Sequence, residues 1–176
     1  MAKEIERKYI VINDSFKSMS TRSYHIVQGY IHTEPRAVVR VRIRDDKAFL
    51  TIKGENKGAV RNEWEYGIPV DDARHMLDEL CQGSVIEKTR YIVEYNRHIW
   101  EVDSFDTPCK GLVVAEIELK SEDESFSLPP FVGDEVTGDP AYYNSTMAST
   151  SHQEVCAAEA KAATEGASDN NQVRRP

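Results

Sequence analysis

At 176 residues and 40% hydrophobic content, the chain is long enough for one domain with a sizeable core and is composed like a soluble protein. Its net charge of -8 argues against a general nucleic-acid binder, although a local basic pocket is compatible with it. Charge begins at Lys3, no apolar run approaches membrane-spanning length, and three cysteines and five histidines neither cluster nor show zinc spacing, so a reduced, cytoplasmic protein with no disulfide framework is expected.

Lys3 to Val11 has β-branched and aromatic content without Gly or Pro and reads as a strand. Alternation puts Glu4, Glu6 and Lys8 on one face and Ile5, Arg7, Tyr9 and Val11 on the other. A short helix follows over 14–20, then a strand over 23–32 and a turn at Glu34-Pro35. Ala37 to Arg44 puts Arg40, Arg42 and Arg44 on one face and Val39, Val41 and Ile43 on the other, and Ala48 to Lys53 returns as a hairpin with Thr51 and Lys53 together. The Gly54-Gly58 turn lacks the Gly-Lys-Ser/Thr ending of a P-loop. Val60 to Val70 is a further strand, with Arg61, Glu63 and Glu65 opposite Trp64 and Tyr66.

Asp71 is expected to cap a helix to about Leu80. Strands over 85–95 and 98–104 bring Lys88 beside Arg90 and Glu101 beside Asp103, and 112–120 carries Glu116, Glu118 and Lys120 on one face. Ser121-Glu122-Asp123-Glu124 has the form of a capping box for a helix over 121–127. Asp139-Pro140 suits an N-cap and first turn for a helix through Ala148. Beyond Ser149 large apolar residues are few, which predicts a disordered or weakly helical tail over 149–176.

Eight strands thus share one design: a charged face and an apolar one. The charged face gathers the acids and the bases in same-sign pairs. Two architectures fit this pattern. In a sandwich the charged faces look out to water; in a closed antiparallel barrel they line the interior. On a plain surface the same-sign pairs cost little. In an enclosed lumen they are desolvated and need bound partners of opposite charge. Carboxylate pairs without Cys or His suit a hard divalent ion, and Arg and Lys clusters suit phosphate oxygens.

The residues resemble a known family. Glu4-Ile5-Glu6-Arg7-Lys8 is similar to the N-terminal Glu-x-Glu-x-Lys signature of the CYTH, or triphosphate tunnel metalloenzyme, superfamily. The likeness continues in order through Gln28-Gly29-Tyr30, Arg40-Val41-Arg42, Thr51-Ile52-Lys53, Arg61-Asn62-Glu63-Trp64-Glu65, Glu87-Lys88-Thr89-Arg90-Tyr91, Glu101-Val102-Asp103, Glu116-Ile117-Glu118 and Glu135-Val136-Thr137-Gly138-Asp139.

This resemblance implies a mainly β (α+β) fold: an eight-stranded antiparallel closed β-barrel with a few peripheral helices. It fills one domain over 1–148, and its tunnel binds a triphosphate. It further implies that Glu4, Glu6, Asp103, Glu116 and Glu118 hold Mg2+ or Mn2+. Lys8, Arg40, Arg42, Lys53, Arg61, Lys88 and Arg90 would grip phosphates. Glu63 and Glu65 fall between the two roles, as metal or water-positioning groups; Arg44 and Glu101 have the right parity but a looser match. The helix from Asp139 resembles a segment that closes one tunnel mouth. Tyr142 and Tyr143 are expected to pack, and Thr51 to fill β space.

The activity so implied is divalent-metal-dependent hydrolysis of a triphosphate. Inorganic tripolyphosphate is the first choice, because no base or thiazole pocket is evident. Class IV adenylate cyclase, thiamine triphosphatase and a non-catalytic polyphosphate- or nucleotide-binding module are the alternatives; the many intact carboxylates argue against the last. The expected partner is a small-molecule triphosphate, with no nucleic acid and no membrane. A homodimer would cover outward apolar faces that three short helices cannot hide.

Overall fold

The alternation in the sequence is carried through one antiparallel sheet. A computed structural model describes residues 5–31, 37–54 and 62–149. The elements in chain order are β1 (Ile5–Val11), α1 (Ser15–Met19), β2 (Arg22–Ile31), β3 (Ala37–Arg44), β4 (Lys47–Gly54), β5 (Glu63–Ile68), α2 (Val70–Leu80), β6 (Val85–Tyr95), β7 (His98–Thr107), β8 (Val113–Leu119), β9 (Val132–Glu135) and α3 (Asn144–Met147). The strand order is β5-β4-β3-β2-β6-β7-β8-β1-β9. The sheet curls on itself, because Glu63 and Glu65 of β5 and Glu6 and Lys8 of β1 line the same cavity.

Closure differs from the expectation. β5 and β9 stand at the two ends of a nine-stranded sheet, and among the described residues no ladder joins them. The free edge of β1 is taken instead by β9, which pairs Tyr9 with Glu135 and Val11 with Val132. The ninth strand has only four residues and was not foreseen.

The apolar faces turn outward and are covered. On one side Tyr9, Val102, Trp100 and Ile117 are buried with Phe16 of α1 and Phe131. Trp100 packs on Tyr9 at 5.7 Å and on Phe126 at 6.0 Å between ring centroids. Burying each such large side chain contributes roughly 1.5–3 kcal/mol. On the other side Val41 and Ala48 are buried with Ala73 and Cys81, on and just beyond α2. That helix lies so close to β2 that a Cβ on Gly29 would fall 2.6 Å from the Cys81 Cβ and 2.8 Å from Leu77 Cδ2. Trp64 and Tyr66, outward on the edge strand β5, stay exposed.

Four local expectations are corrected. The 121–127 helix is absent: Glu124 accepts from the backbone N–H of Lys120 and contacts His98, and Phe126 is drawn onto Trp100. The cap of α2 is Pro69, and Asp71 sits in its first turn, accepting from Arg74 at 2.8 Å. Cys81 is a buried free thiol, whereas Cys109 is disulfide-bonded rather than reduced. Asp139 does cap, accepting from the Ala141 N–H, but the segment breaks into a 3-10 turn over Pro140–Tyr142 and then α3. No helix among the described residues is long and apolar enough to cross a membrane. The expected tail lies outside the described residues.

Candidate functional site

One wall of the lumen is cationic. Successive inward positions of β3 carry Arg40, Arg42 and Arg44, and β4 and β5 add Lys53, Glu63 and Glu65. Register sets the pairs: Thr51 opposes Arg40 on one side and Glu65 on the other, and Lys53 opposes Glu63. Glu65 Oε2 lies 3.0 Å from Arg42 Nη2 and 3.5 Å from Arg40 Nη2, and accepts from the Thr51 hydroxyl at 2.8 Å. Lys53 pairs with Glu63 at 2.7 Å. One carboxylate therefore serves two guanidiniums. The Nε atoms of Arg40 and Arg42 are buried and, among the described residues, unpartnered. Burial, with Arg40, Arg90 and Arg44 adding repulsion against the pull of Glu65, lowers Arg42 to about 10. Such donors, starved of acceptors, are suited to an anion with many oxygens.

The facing wall interleaves acids and bases. On β1 and β8, Lys8 opposes Glu116 and Glu6 opposes Glu118. Lys8 Nζ lies 2.8 Å from Glu116 and 3.5 Å from Glu6, and donates to the Tyr142 carbonyl at 3.1 Å. Burial works against that ammonium, yet Glu116 and Glu6 hold it above the usual lysine value. Arg90 forks onto Asp103 through Nε at 2.6 Å and Nη2 at 2.7 Å, and also reaches Glu101 and, at 3.1 Å, Glu116. Lys88, 1% exposed, donates to Asp103 at 2.6 Å and to Asn144 Oδ1 at 3.2 Å. Its own burial, reinforced by Arg90, draws Lys88 below an ordinary lysine. Although burial opposes ionisation, Arg90 and Lys88 hold the Asp103 carboxyl far below the carboxylate range, and Lys8 and Arg90 lower Glu116.

Between the walls lies a cavity of about 720 Å³. Glu6, Lys8, Arg40, Arg42, Lys53, Glu63, Glu65, Lys88, Arg90 and Glu116 all line it, as do Arg44 and Glu101. Asp103 is buried behind Lys88 and Arg90 and does not line it. Glu118 shares the inward parity but is exposed and lies outside the lining. Glu4 and Arg61 lie outside the described residues. Ile86, Phe105, Val114 and Met147 are buried in one apolar cluster, with Tyr30 and Tyr142 packed against it. From the segment around Asp139, Gly138, Tyr143, Asn144 and Ser145 line the cavity, so Tyr142 packs as expected whereas Tyr143 faces the lumen.

Sequence reasoning names Gln28 and Tyr30 in the family likeness and places Asn144 in the helix after Asp139, but gives none of the three a role in the site. Gln28, 1% exposed, donates to the Tyr30 hydroxyl at 2.9 Å, and burial pushes that phenol up to about 12. Inward parity on β2 was the available signal for both. Asn144 stands on a four-residue helix that no periodicity announces. Thr51 does more than fill space, since it bridges Arg40 and Glu65.

The donor set suits a hard divalent cation. Glu6 and Glu118 are directly opposed across β1 and β8, an arrangement of like charges that is unfavourable unless a cation lies between them. Glu116 is two residues away on the same face. Among the described residues no three such side chains already converge on one point. The carboxylates are brought to neighbouring register positions rather than gathered.

Comparisons accord with this geometry. A curated inorganic triphosphatase of Acetivibrio thermocellus is 47% identical over 147 residues, spanning 84% of this chain and 94% of the relative. The inorganic triphosphatase of Nitrosomonas europaea is 34% identical over 149 residues, spanning 82% and 96%. A crystal structure of an inorganic triphosphatase superposes with a TM-score of 0.63 at 32% identity, covering 84% of this chain and 95% of the other. A putative adenylate cyclase from Bacillus halodurans shares the fold, with a TM-score of 0.55 at 17% identity over 68% and 81% of the two chains. The family model for the CYTH domain matches residues 2–147, and the chain belongs to the CYTH domain family.

Proposed function

We propose that this protein hydrolyses inorganic tripolyphosphate, held inside the lumen with the help of a divalent metal ion. The observation that carries the reading is the facing of two walls across one cavity. One wall has the buried Nε donors of Arg40 and Arg42, without acceptors among the described residues; the other has Glu6 and Glu116 on either side of Lys8. A linear polyanion with a chelated cation satisfies both at once. The names of the two curated relatives point the same way.

Arg40, Arg42 and Lys53 grip phosphate oxygens from one side, and Lys8, Lys88 and Arg90 from the other. Arg61 joins this set, and Glu4 the metal-holding set, on the resemblance alone. Glu6, Glu116 and Glu118 would hold the metal, with Mg2+ or Mn2+ the ions such oxygen donors prefer. The ion supplies neutralisation of developing charge and a more acidic water. Glu65, and Glu63 beside it, would orient a water for in-line attack on the terminal phosphorus, while the guanidiniums stabilise charge spreading over its equatorial oxygens. We further place the domain boundary near residue 148, and infer a homodimer from the exposed Trp64 and Tyr66 of β5.

The test is to incubate the purified chain with tripolyphosphate, ATP or thiamine triphosphate, each with Mg2+ or Mn2+, and to identify products. Orthophosphate and pyrophosphate from tripolyphosphate are expected. Cyclic AMP as the main product would make it a cyclase, faster cleavage of thiamine triphosphate would change the substrate, and no turnover would leave a binding module.

A further inference from the structure

We propose that Asp103 is a positioning residue for the phosphate-gripping pair Lys88 and Arg90, and not a ligand of the metal. The inference rests on the triphosphatase reading for what those cations grip, but its own evidence is geometric. Asp103 opposes Arg90 in the β6–β7 ladder and lies on the inward face of β7, between Glu101 and Phe105. Parity alone would count it with the metal-binding acids. Depth separates it from them: it is 1% exposed and absent from the cavity lining.

Both of its oxygens are already committed. Oδ1 accepts from Arg90 Nε at 2.6 Å. Oδ2 accepts from Arg90 Nη2 at 2.7 Å and from Lys88 Nζ at 2.6 Å. A divalent ion would have to sit about 2.0–2.6 Å from one of these oxygens. There it would meet two full positive charges within hydrogen-bond reach, in a site that water cannot screen. Glu6 lines the cavity and Glu118 is exposed, so those two can take up an ion without displacing a buried pair; Glu116 lines the cavity too, with Lys8 on one oxygen and Arg90 on the other, and of the two cations on Asp103 only Arg90 reaches it.

What Asp103 does instead is fix two cations before any substrate arrives. The two-point contact with Arg90 sets the plane of the guanidinium, so Nη2 also reaches Glu116 and the rest of the fork faces the cavity. Lys88 Nζ is held by Asp103, by Asn144 Oδ1 at 3.2 Å, and by the Phe105 ring, whose centroid lies 5.3 Å away. Without Asp103 the Lys88 ammonium would be buried with its strongest partner gone, and Arg90 would swing towards Glu101 and Glu116.

The experiment has two arms. In crystals of the full chain grown with Mn2+, anomalous scattering should place the ion beside Glu6, Glu116 or Glu118, with no ion within about 2.6 Å of Asp103; an ion on Asp103 overturns the proposal and needs no variant to do so. In solution, Asp103→Asn should weaken metal-free tripolyphosphate binding, measured calorimetrically with a chelator present, by about 10- to 100-fold. Mn2+ affinity, measured by electron paramagnetic resonance, should stay within twofold, whereas Glu6→Gln should lose Mn2+ affinity. A fall in Mn2+ affinity for a folded Asp103→Asn overturns the assignment, as does unchanged tripolyphosphate binding. If Asp103→Asn does not fold, Asp103→Glu, which keeps the charge and shifts the fork, should show the same division between anion and metal. Wild-type protein that binds neither tripolyphosphate nor Mn2+ would overturn the triphosphatase reading itself.

Discussion

Glu65 Oε2 lies 3.0 Å from Arg42 Nη2, with Arg40 Nη2 at 3.5 Å on the same oxygen. One carboxylate therefore stands where two guanidiniums would otherwise meet a phosphate. In the absence of substrate it partly neutralises them, and Arg42 still falls to about 10, chiefly through burial. An entering triphosphate must displace Glu65 from this role, and the displaced carboxylate is then free to hold a water.

Replacing Glu65 separates these two duties. Glu65→Gln removes a competitor for the guanidiniums, so KM for tripolyphosphate should fall. Loss of the water-orienting group should lower kcat by about 10²- to 10⁴-fold. Steady-state kinetics check both. Unchanged kcat would confine Glu65 to neutralising the arginines.

The acid dependence of stability follows from two buried carboxylates of the facing wall, Glu116 on the lumen and Asp103 behind it. Asp103 and Glu116 have folded-state values lowered from 3.8 and 4.5 by the nearby Lys and Arg charges, which outweigh burial. A depressed carboxyl stabilises the fold fully above its unfolded value, and that contribution is lost as pH falls through the folded one. Thermal melts should thus show these two groups contributing a constant term from pH 8 down to about 5 and a falling one below about 4. Asp103→Asn should lower Tm at pH 7, since it leaves the buried Lys88 and Arg90 charges uncompensated at a cost of roughly 3–5 kcal/mol, and should flatten the acid slope.

The packing of α2 on β2 is testable apart from chemistry. A methyl group at Gly29 would lie 2.6 Å from the Cys81 Cβ, well inside contact distance. Gly29→Ala should destabilise by about 1–3 kcal/mol through overpacking. Denaturant unfolding measures it. A neutral result would mean that α2 shifts freely on the sheet.

Metal removal should stop catalysis without unfolding the domain. The inward acids are already compensated by protein cations: Glu116 by Lys8 and Arg90, Asp103 by Lys88 and Arg90. A chelator should abolish turnover, while Tm drops only by the small amount that loss of a bound ligand supplies. Global unfolding on chelation would make the ion a structural support.

Parity made most of the fold legible. Arg40-x-Arg42 and Glu116-x-Glu118 put like charges on one face, and the eight expected strands are present in the order read from the sequence. The short β9, with Gly133 inside it, carries no such signal, so the way it takes the edge of β1 could not be read. The spurious 121–127 helix arose because a capping box is a local signal, whereas Phe126 answers to Trp100 and Tyr9. Parity also gives the face but not the depth. It grouped Asp103 and Glu118 with Glu116, yet one is buried behind two cations and the other is exposed. The contacts of Lys8 and Lys88 with Tyr142 and Asn144 bring a late segment to the lumen, a placement that the family resemblance implied for the segment after Asp139 but that no local pattern encodes.

The central claim is that the rows of like charge enclose a polyanion. The most direct measurement is a crystal structure of the full chain with tripolyphosphate and a divalent ion. The account predicts phosphate oxygens inside the lumen, within about 3.2 Å of Arg40, Arg42 and Lys88 nitrogens. Tripolyphosphate bound on the outer surface, with Glu65 still seated on Arg42 and the lumen holding none, would contradict it.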